Sequence, residues 1–290
     1  DGLTAGFGIN WSNESGYSDS YGSREFGESR RNTGIYANIS GDYGEHRFEL
    51  ATRYDDNSQF GGVSTSSVAW AWQPTVNQQL RASWGQGFRA PNFNELYYPG
   101  FFGWFAGNPD LNPEESQSLE LGYAYQWRDG YEARISAFKT DVDELISFAG
   151  VNNQAVNIMQ ADITGVEAEL AGNTGSWLWR IQGAWTEAVD AETDTPLLRR
   201  PELTGLLSLG YMFENQVSLA GEFTASSDRP DFGGDLPGYG RLDLIAGWPV
   251  SANWRIEGRL ENLFNRDYEL IDGYNTPGRS FFLRINYLAK

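Results

Sequence analysis

Apolar and polar residues alternate along nearly the whole chain, which is the pattern of a β-strand with two different faces. In one such segment, Leu119, Leu121 and Tyr123 share one face, whereas Ser118 and Glu120 share the other. The alternation recurs in about 14 segments, and no apolar stripe with the period of a helix interrupts it. The sequence therefore predicts an all-β protein.

The connections between these segments are alternately short and long. The short turns at 41–44, 128–130 and 214–215 contain Gly, Asp and Asn residues, which favour tight antiparallel turns. The long connections are 12–31, 89–115, 190–200, 227–239 and 263–277. Short turns at one rim and long loops at the other are typical of bacterial outer-membrane barrels, whose long loops face outward. We therefore predict one antiparallel transmembrane β-barrel domain of about 14 strands across residues 1–290.

The composition is compatible with a membrane barrel despite its polar average. The mean hydropathy is −0.50, and no run of about 18 apolar residues marks a membrane-spanning helix. A transmembrane strand, however, needs only about 9 to 11 residues with alternate positions apolar. Aromatic residues make up 15% of the chain, which is many for so hydrophilic a sequence. Aromatic girdles at the two membrane interfaces would account for them.

A large soluble β-sandwich or propeller is the alternative fold, because its strands also alternate. Its polar faces would meet solvent, and its apolar faces would fill a small core. In this chain the apolar faces end in large aromatic residues such as Trp127, Trp179 and Trp254. That arrangement favours a lipid-facing band, with the polar faces lining a lumen.

The predicted lumen faces carry charges of both signs. The interleaved residues are Arg47, Arg53, Arg81, Arg134, Arg180, Arg255 and Arg259 with Glu49, Glu120, Glu132, Glu167, Glu169, Glu257 and Glu261. Pairing across neighbouring strands would neutralise these charges while keeping the lumen wet. We predict mutual ion pairing along this wall.

Charge and residue counts exclude several classes of function. The chain has 21 Lys and Arg against 39 Asp and Glu, a formal charge of −18, which argues against nucleic acid as a partner. It has no cysteine, so disulfide scaffolds, thiolate metal sites and cysteine nucleophiles are excluded. The single histidine, His46, lies beside a predicted short turn without the partner residues of a catalytic site. We predict that the protein is not an enzyme.

Several segments resemble the TonB-dependent receptors of the bacterial outer membrane. The residues that carry this resemblance are 87–97 (GFRAPNFNELY), 107–116 (GNPDLNPEES), 119–123, 163–169 (ITGVEAE), 261–269 (ENLFNRDYE) and 278–281. Within that family, the segments 193–200 (TDTPLLRR) and 272–279 (DGYNTPGR) are most similar to the cobalamin (vitamin B12) receptors. The resemblance extends over almost the whole chain.

The resemblance implies a 22-stranded barrel around an N-terminal plug domain, which imports a scarce ligand with energy delivered by TonB. The chain matches only the C-terminal part of that barrel, and a plug, a TonB box and roughly the first eight strands have no counterpart in it. The expected partners are therefore outer-membrane lipid, TonB acting through a plug, and further N-terminal strands. Cobalamin is the expected transported ligand, and a siderophore is the alternative.

Two functions outside active transport remain open at this point. A sheet of about 14 strands that closes on itself would be a passive outer-membrane pore with a water-filled lumen. An open sheet would instead leave unpaired edges, which are costly in hydrocarbon. The remaining hypothesis is a surface binding or adhesion module that uses the aromatic residues of connection 89–115.

Connection 89–115 contains the candidates for ligand contact. They are six aromatic residues within nine positions, Tyr97, Tyr98, Phe101, Phe102, Trp104 and Phe105, together with Asn92, Asn94 and Asn108. Such a cluster is a liability in water unless it packs on something. A large, partly apolar ligand such as a corrin ring would suit the rings, and the amides would add hydrogen bonds. The alternative is packing against neighbouring loops or lipid headgroups.

Two groups of carboxylates are candidate calcium ligands. The first is Asp190, Glu192 and Asp194, and the second is Asp228, Asp231 and Asp235. Calcium binds six to eight oxygen atoms, and carboxylates at such spacings could supply some of them. The sequence contains no regular calcium-binding loop, so a solvated acidic rim is the alternative.

Overall fold

The computed structural model describes residues 2–20 and 22–287. Its strands are β1 (Leu3–Ser20), β2 (Ser23–Tyr43), β3 (His46–Asn57), β4 (Gly61–Thr75), β5 (Gln78–Arg89), β6 (Glu114–Arg128), β7 (Tyr131–Ser147), β8 (Val156–Thr174), β9 (Trp177–Asp190), β10 (Thr195–Pro196), β11 (Leu203–Met212), β12 (Ser218–Ser226), β13 (Tyr239–Pro249), β14 (Trp254–Glu261), β15 (Glu269–Ile271), β16 (Tyr274–Asn275) and β17 (Ser280–Tyr287). A short helix, α1 (Phe93–Tyr97), and a 3₁₀ turn (Val151–Asn153) lie in the connections. No helix in the described residues is both long and apolar enough to cross a membrane. The prediction of an all-β chain is confirmed.

Fourteen strands form one antiparallel meander, in agreement with the prediction. Their order in the sheet is β1 to β9, then β11 to β14, then β17. β10 pairs with β9 beside this path, and β15 pairs with β16 in a separate hairpin. Within the described residues, β1 and β17 are the two ends of the sheet. The chain therefore forms an open sheet in this structure and not the self-closed pore.

The two faces of the sheet have opposite chemistry. In β11, Leu207 is 48% exposed, although it lies near the middle of the strand. The next residue, Ser208, lies on the other face between Arg180 and Glu222 of the adjoining strands. An apolar face that runs uncovered across so many strands is the face that lipid covers in a membrane barrel.

Eleven of the fourteen charged residues predicted for the lumen face form ion pairs within the described residues, and several of these pairs cross between strands. The Glu169 carboxylate lies 3.7 Å from the guanidinium groups of both Arg134 and Arg180. Arg259 of β14 reaches the carboxylate of Asp243 on β13 at 2.8 Å. Because these groups neutralise one another, the wall of the lumen is polar without a large uncompensated charge.

The short turns and the long loops lie at opposite rims, because successive strands of the meander run in opposite directions. The rim of short turns carries a belt of aromatic side chains. The ring of Tyr131 lies 5.8 Å from Trp127 and 6.2 Å from Trp179, and Trp254 lies 4.7 Å from Tyr287. Such a belt is typical of a membrane interface.

His46 belongs to the same aromatic belt. Its ring stacks at 5.9 Å on both Trp70 and Trp72, and its Nδ1 accepts a hydrogen bond from Nε1 of Trp70 at 3.2 Å. Through these contacts the imidazole packs at the rim of short turns, which is the rim opposite the long loops.

The prediction of a long loop at 12–31 is wrong. β1 and β2 pair along this segment up to its tip, so it is a β-hairpin that continues the first two strands. Above the bilayer a strand needs no lipid-facing side chains, so apolar alternation disappears while pairing persists. Cross-strand ion pairs join Arg24 to Asp19 at 3.0 Å and Arg30 to Glu14 at 2.8 Å. The other four long connections lie where the sequence predicts them.

Buried apolar clusters occur at the rim of long loops. One cluster is Val142, Ala161, Ala188 and Leu197, and the other is Leu96, Leu111 and Ala155. Both join the ends of strands to residues of the connecting loops. The loops are therefore packed on each other, and their side chains have defined positions.

Replacing Leu207 with Arg tests which face meets lipid. A guanidinium near the bilayer midplane is expected to lower the free energy of unfolding by about 2–4 kcal/mol. Ser208→Arg, one residue away on the charged face, is the matched control. About 0–1 kcal/mol is expected, because this face meets water and the attraction of Glu222 on one side offsets the repulsion of Arg180 on the other. Urea unfolding in lipid vesicles, followed by tryptophan fluorescence, measures both costs. Equal costs for the two variants would contradict this assignment of faces.

Candidate functional site

The aromatic loop, defined here as residues 90–113, is closed at its base by one arginine. Arg89 donates to both carboxylate oxygens of Glu114 at 2.6 Å each and to those of Glu95 at 3.0 and 3.1 Å. Paired hydrogen bonds of this kind fix orientation as well as charge. Arg89 thus ties the end of β5 to the start of β6 and to helix α1.

Helix α1 begins with a capping box. The Oδ1 atom of Asn92 accepts a hydrogen bond from the backbone N–H of Glu95 at 2.9 Å, and Oε2 of Glu95 accepts one from the N–H of Asn92 at 2.8 Å. Leu96 of this helix is fully buried in the loop cluster. The side chain of Asn92, a predicted ligand contact, is therefore used to start the helix.

The far end of the aromatic loop is an exposed turn, residues 101–104, here named the aromatic tip. Phe101 and Trp104 exchange two backbone hydrogen bonds, of 2.8 and 3.0 Å. Gly103 adopts a φ of 82°, a conformation that favours glycine. The side chains of Phe101, Phe102 and Trp104 are 67%, 89% and 50% exposed. The backbone of the turn is thus held in place while its three rings stand in water.

The predicted residues Tyr97, Tyr98 and Phe105 are more covered than the tip. The hydroxyl of Tyr97 accepts a hydrogen bond from Nε2 of Gln59 at 2.8 Å, and its ring lies 6.1 Å from that of Phe26 on the projecting β1–β2 hairpin. Tyr98 is half-buried, and its carbonyl accepts the N–H of Gly107 at 2.8 Å. Packing against neighbouring loops therefore accounts for part of the aromatic cluster, but not for the tip.

Phe105 connects the aromatic loop to two neighbouring loops. Its ring lies 6.3 Å from Phe148 and makes an edge contact at 5.5 Å with Phe232, which lies between β12 and β13. Its backbone N–H also donates to the carbonyl of Asn152 at 3.0 Å. The base of the aromatic tip is thus held by contacts from outside its own loop.

A buried carboxylate holds Phe232 in place. Asp231 accepts hydrogen bonds from Nε of Arg199 at 2.9 Å, from the N–H of Phe232 at 2.8 Å and from the N–H of Asp272 at 2.8 Å. The guanidinium of Arg199 also lies 5.1 Å above the Phe232 ring. Three long loops therefore meet at one carboxylate, and a fourth reaches it through Phe105.

The charge state of Asp231 depends on these bonds. Burial by itself raises the pKa of this carboxyl, but the N–H groups of Asp272 and Phe232 and the Arg199 guanidinium outweigh it and hold the pKa below its usual range. A carboxyl whose pKa is lower in the folded state stabilises the fold above its unfolded pKa, and this contribution is lost as the pH falls through the folded pKa. Acid therefore loosens this junction.

The other two predicted amides differ in how free they are. Oδ1 of Asn108 accepts the N–H of Asp110 at 3.0 Å, and the N–H of Asn108 donates to the carbonyl of Glu95 at 2.7 Å. Asn94 is exposed on α1, and its carbonyl accepts the N–H of Tyr98. Asn94 is thus the predicted amide whose side chain is exposed to solvent, on helix α1 within the aromatic loop.

The acidic turn after β9 does not gather its carboxylates into a metal site. Oδ1 of Asp190 accepts the N–H groups of Glu192 and Thr193, both at 3.0 Å, and Asp194 adopts a φ of 57° in the same turn. In the part of the chain that the structure describes, no group of three or more acidic or histidine side chains is arranged to hold a metal ion. The Asp190 side chain is thus used in the turn, and calcium binding by Asp190, Glu192 and Asp194 stays a prediction.

Sequence reasoning did not identify the residues that position the aromatic tip. The signal for α1 was local, because Asn92 and Glu95 have the spacing of a capping box. Asp231 appeared only as one of three acidic residues, and nothing in the sequence pairs it with Arg199 or Phe232 with Phe105. These contacts join distant segments, and single-sequence patterns do not report them.

Replacing Asp231 with Asn tests this junction. The variant leaves Arg199 without its partner, so the free energy of local opening of loop 227–238 is expected to fall by about 1–3 kcal/mol. Asp235→Asn, an exposed neighbour, is the control. Hydrogen exchange, corrected for intrinsic rates, should show wild-type protection declining below about pH 4, and the D231N variant should lack this decline. Unchanged exchange in D231N would refute the role of Asp231.

Solved structures with the same fold cover nearly the whole chain. They include the ferric enterobactin receptor PfeA of Pseudomonas aeruginosa (TM-score 0.80, 18% identity), the copper transporter OprC (0.82, 18%) and the siderophore receptor PirA of Acinetobacter baumannii (0.79, 20%). The matches cover 98%, 99% and 98% of this chain but 51%, 54% and 52% of those chains. The chain thus spans about half the length of the structures it matches, and at these identities the likeness establishes the fold.

A family model gives the relationship directly. The model described as TonB dependent receptor-like, beta-barrel, matches residues 2–263, which include the aromatic loop and Asp231. The members of this family are transport receptors of the bacterial outer membrane and not enzymes, so the predicted location is confirmed and the predicted lack of enzyme activity agrees with the family. The chain belongs to the TonB-dependent receptor β-barrel family.

Proposed function

We propose that the chain forms the C-terminal part of a receptor barrel that captures a scarce ligand outside the cell and imports it with energy from TonB. The observation that carries this proposal is the aromatic tip. Its rings are exposed at the rim of long loops, whereas its backbone is closed by two hydrogen bonds within the turn and its base is held by contacts from neighbouring loops. Aromatic rings that are exposed on a fixed backbone are suited to bind a partly apolar ligand, because each ring offers a large contact area and has only two side-chain torsions to order.

The partners in this proposal follow from the open sheet. In hydrocarbon each unpaired backbone group costs several kcal/mol, so the outer edges of β1 and β17 require strands beside them. We propose that further N-terminal strands supply these edges, that a plug domain occupies the lumen and that TonB acts through the plug. The paired charges around Glu169 would give such a plug a polar wall.

The ligand is the open part of the proposal, with cobalamin and a siderophore as candidates. The segments 193–200 and 272–279, which resemble cobalamin receptors, contain Arg199 and Asp272, and both contact Asp231. Packing of the loops is therefore enough to explain the sequences of these two segments. The segments consequently give little support for cobalamin as the ligand. The related structures are named for ferric enterobactin, for a siderophore and for copper.

Replacing Phe101, Phe102 and Trp104 together with Ser tests ligand capture by the tip. Loss of three exposed rings is expected to weaken ligand binding at least about tenfold, since buried aromatic contacts at interfaces are worth about 1 kcal/mol or more each. Phe264→Ser, which removes a 73% exposed ring from another long loop, is the control. Binding of labelled ferric siderophores and cyanocobalamin to cells that express the complete gene provides the measurement. Unchanged binding of every ligand that wild type takes up would refute the proposal.

Removal of TonB separates active transport from a passive pore or an adhesion module. In cells without TonB, the ligand is expected to bind normally at the surface while its accumulation inside the cell falls to background. A passive pore would continue to admit the ligand, and an adhesion module would show no accumulation in either strain. Uptake and surface binding are measured with the same radiolabelled ligand in isogenic strains.

A further inference from the structure

The arginines of the long loops are used within the protein. Arg199 is ion-paired to Asp231 at 2.9 Å. Arg229 is buried and donates to the carbonyl of Glu269, and Nε of Arg279 donates to the carbonyl of Leu263 at 2.9 Å. The loops at 90–113, 191–202, 227–238 and 262–279 contain no lysine. Three of the five arginines in these loops are thus engaged in contacts that hold the loops together.

The carboxylates of the same loops are, in contrast, mostly exposed to solvent. The exposed ones include Asp110, Glu192, Asp194, Glu202, Asp228 and Asp235. Among the described residues none of these six takes part in an ion pair, whereas three exposed arginines of these loops, Arg200, Arg266 and Arg279, are without an ion pair. The surface that the loops present to water is therefore negative.

This negative surface adjoins the aromatic tip. Phe232, which contacts Phe105 at 5.5 Å, shares its loop with Asp228 and Asp235. Charges in water act over a Debye length of about 8 Å at physiological ionic strength. Because the loop that carries these two carboxylates contacts Phe105, the residue next to the tip, we expect a charged ligand on the tip to experience their field. A polyanion would have to bind there against net repulsion, because the exposed carboxylates of these loops outnumber the exposed arginines and because Arg199 and Arg229 are already engaged within the protein.

We propose that the ligand captured at the aromatic tip carries no net negative charge and is a neutral or cationic metal complex with an apolar face. This inference rests on the proposed function and narrows it. A corrinoid and a ferric tris-hydroxamate both have this chemistry. A triply anionic ferric tris-catecholate, such as ferric enterobactin, does not.

Competitive binding to cells that express the complete gene tests the inference with three probes. They are cyanocobalamin as a neutral corrinoid, ferrioxamine B as a cationic ferric hydroxamate, and ferric enterobactin as the trianion. Either of the first two is expected to bind at least tenfold more tightly than ferric enterobactin, and which of them binds identifies the source of the ligand. Tighter binding of ferric enterobactin than of both others, lost in the Phe101, Phe102 and Trp104 triple variant, would overturn the inference and leave the proposed function intact.

Reversing the charge of two rim carboxylates tests whether the acidic rim causes the preference for a ligand without negative charge. Asp228→Lys combined with Asp235→Lys is expected to raise the affinity for ferric enterobactin at least threefold and to weaken ferrioxamine B at least threefold relative to wild type. Asp42→Lys combined with Asp129→Lys, at the rim of short turns, is the matched control and should change neither affinity. Equal changes in both double variants, or none in the first, would overturn the role of the acidic rim. Probe binding that the Phe101, Phe102 and Trp104 triple variant leaves unchanged would refute the proposed function as well.

Discussion

Every backbone N–H and C=O group of a strand in hydrocarbon has to be paired by another strand, because no water is present to replace the hydrogen bond. This constraint accounts for the main features of the fold. It favours a continuous antiparallel meander, in which each strand is bonded to the next across short turns. It also permits the projecting hairpin of β1 and β2, whose polar strands continue to pair after the lipid-facing pattern has ended.

Because of the same constraint, the tightly packed apolar residues of the protein lie at the rim of long loops. The strands turn apolar side chains such as Leu207 outward, and paired charges around Glu169 face the lumen. Tight apolar packing therefore occurs where the long loops meet, around Leu96 and Val142. A rim built in this way has fixed positions for side chains, and Asp231 joins three of its loops at a single carboxylate. The rigid rim is what allows an exposed turn of aromatic rings to hold its shape.

The sequence is informative about the barrel and much less so about the rim. Alternation around Leu121 is a local consequence of a two-faced strand, so it predicts strands and faces from neighbouring residues alone. The prediction of strands from alternation fails for segment 12–31, because the strands there have no lipid to face and therefore lack apolar alternation. The contacts of Phe105 with Phe232 and of Arg199 with Asp231 join distant segments, and no local pattern encodes them. Of the predicted ligand contacts, Asn92 caps a helix, whereas Phe101, Phe102 and Trp104 remain exposed.

The central claim is that the apolar face of the sheet meets lipid. By strand register, nine of the eleven tryptophans lie on that face, and Trp127 contacts Tyr131, which packs on Trp179 of the same face. The remaining one is Trp104 in the aromatic tip. Tryptophan emission of the protein in vesicles with brominated acyl chains tests this most directly. The account predicts that bromine quenches most of the emission, while aqueous iodide quenches a minor part that Trp104→Phe removes. Emission that is insensitive to brominated lipid, from protein that remains monodisperse without detergent, would contradict it.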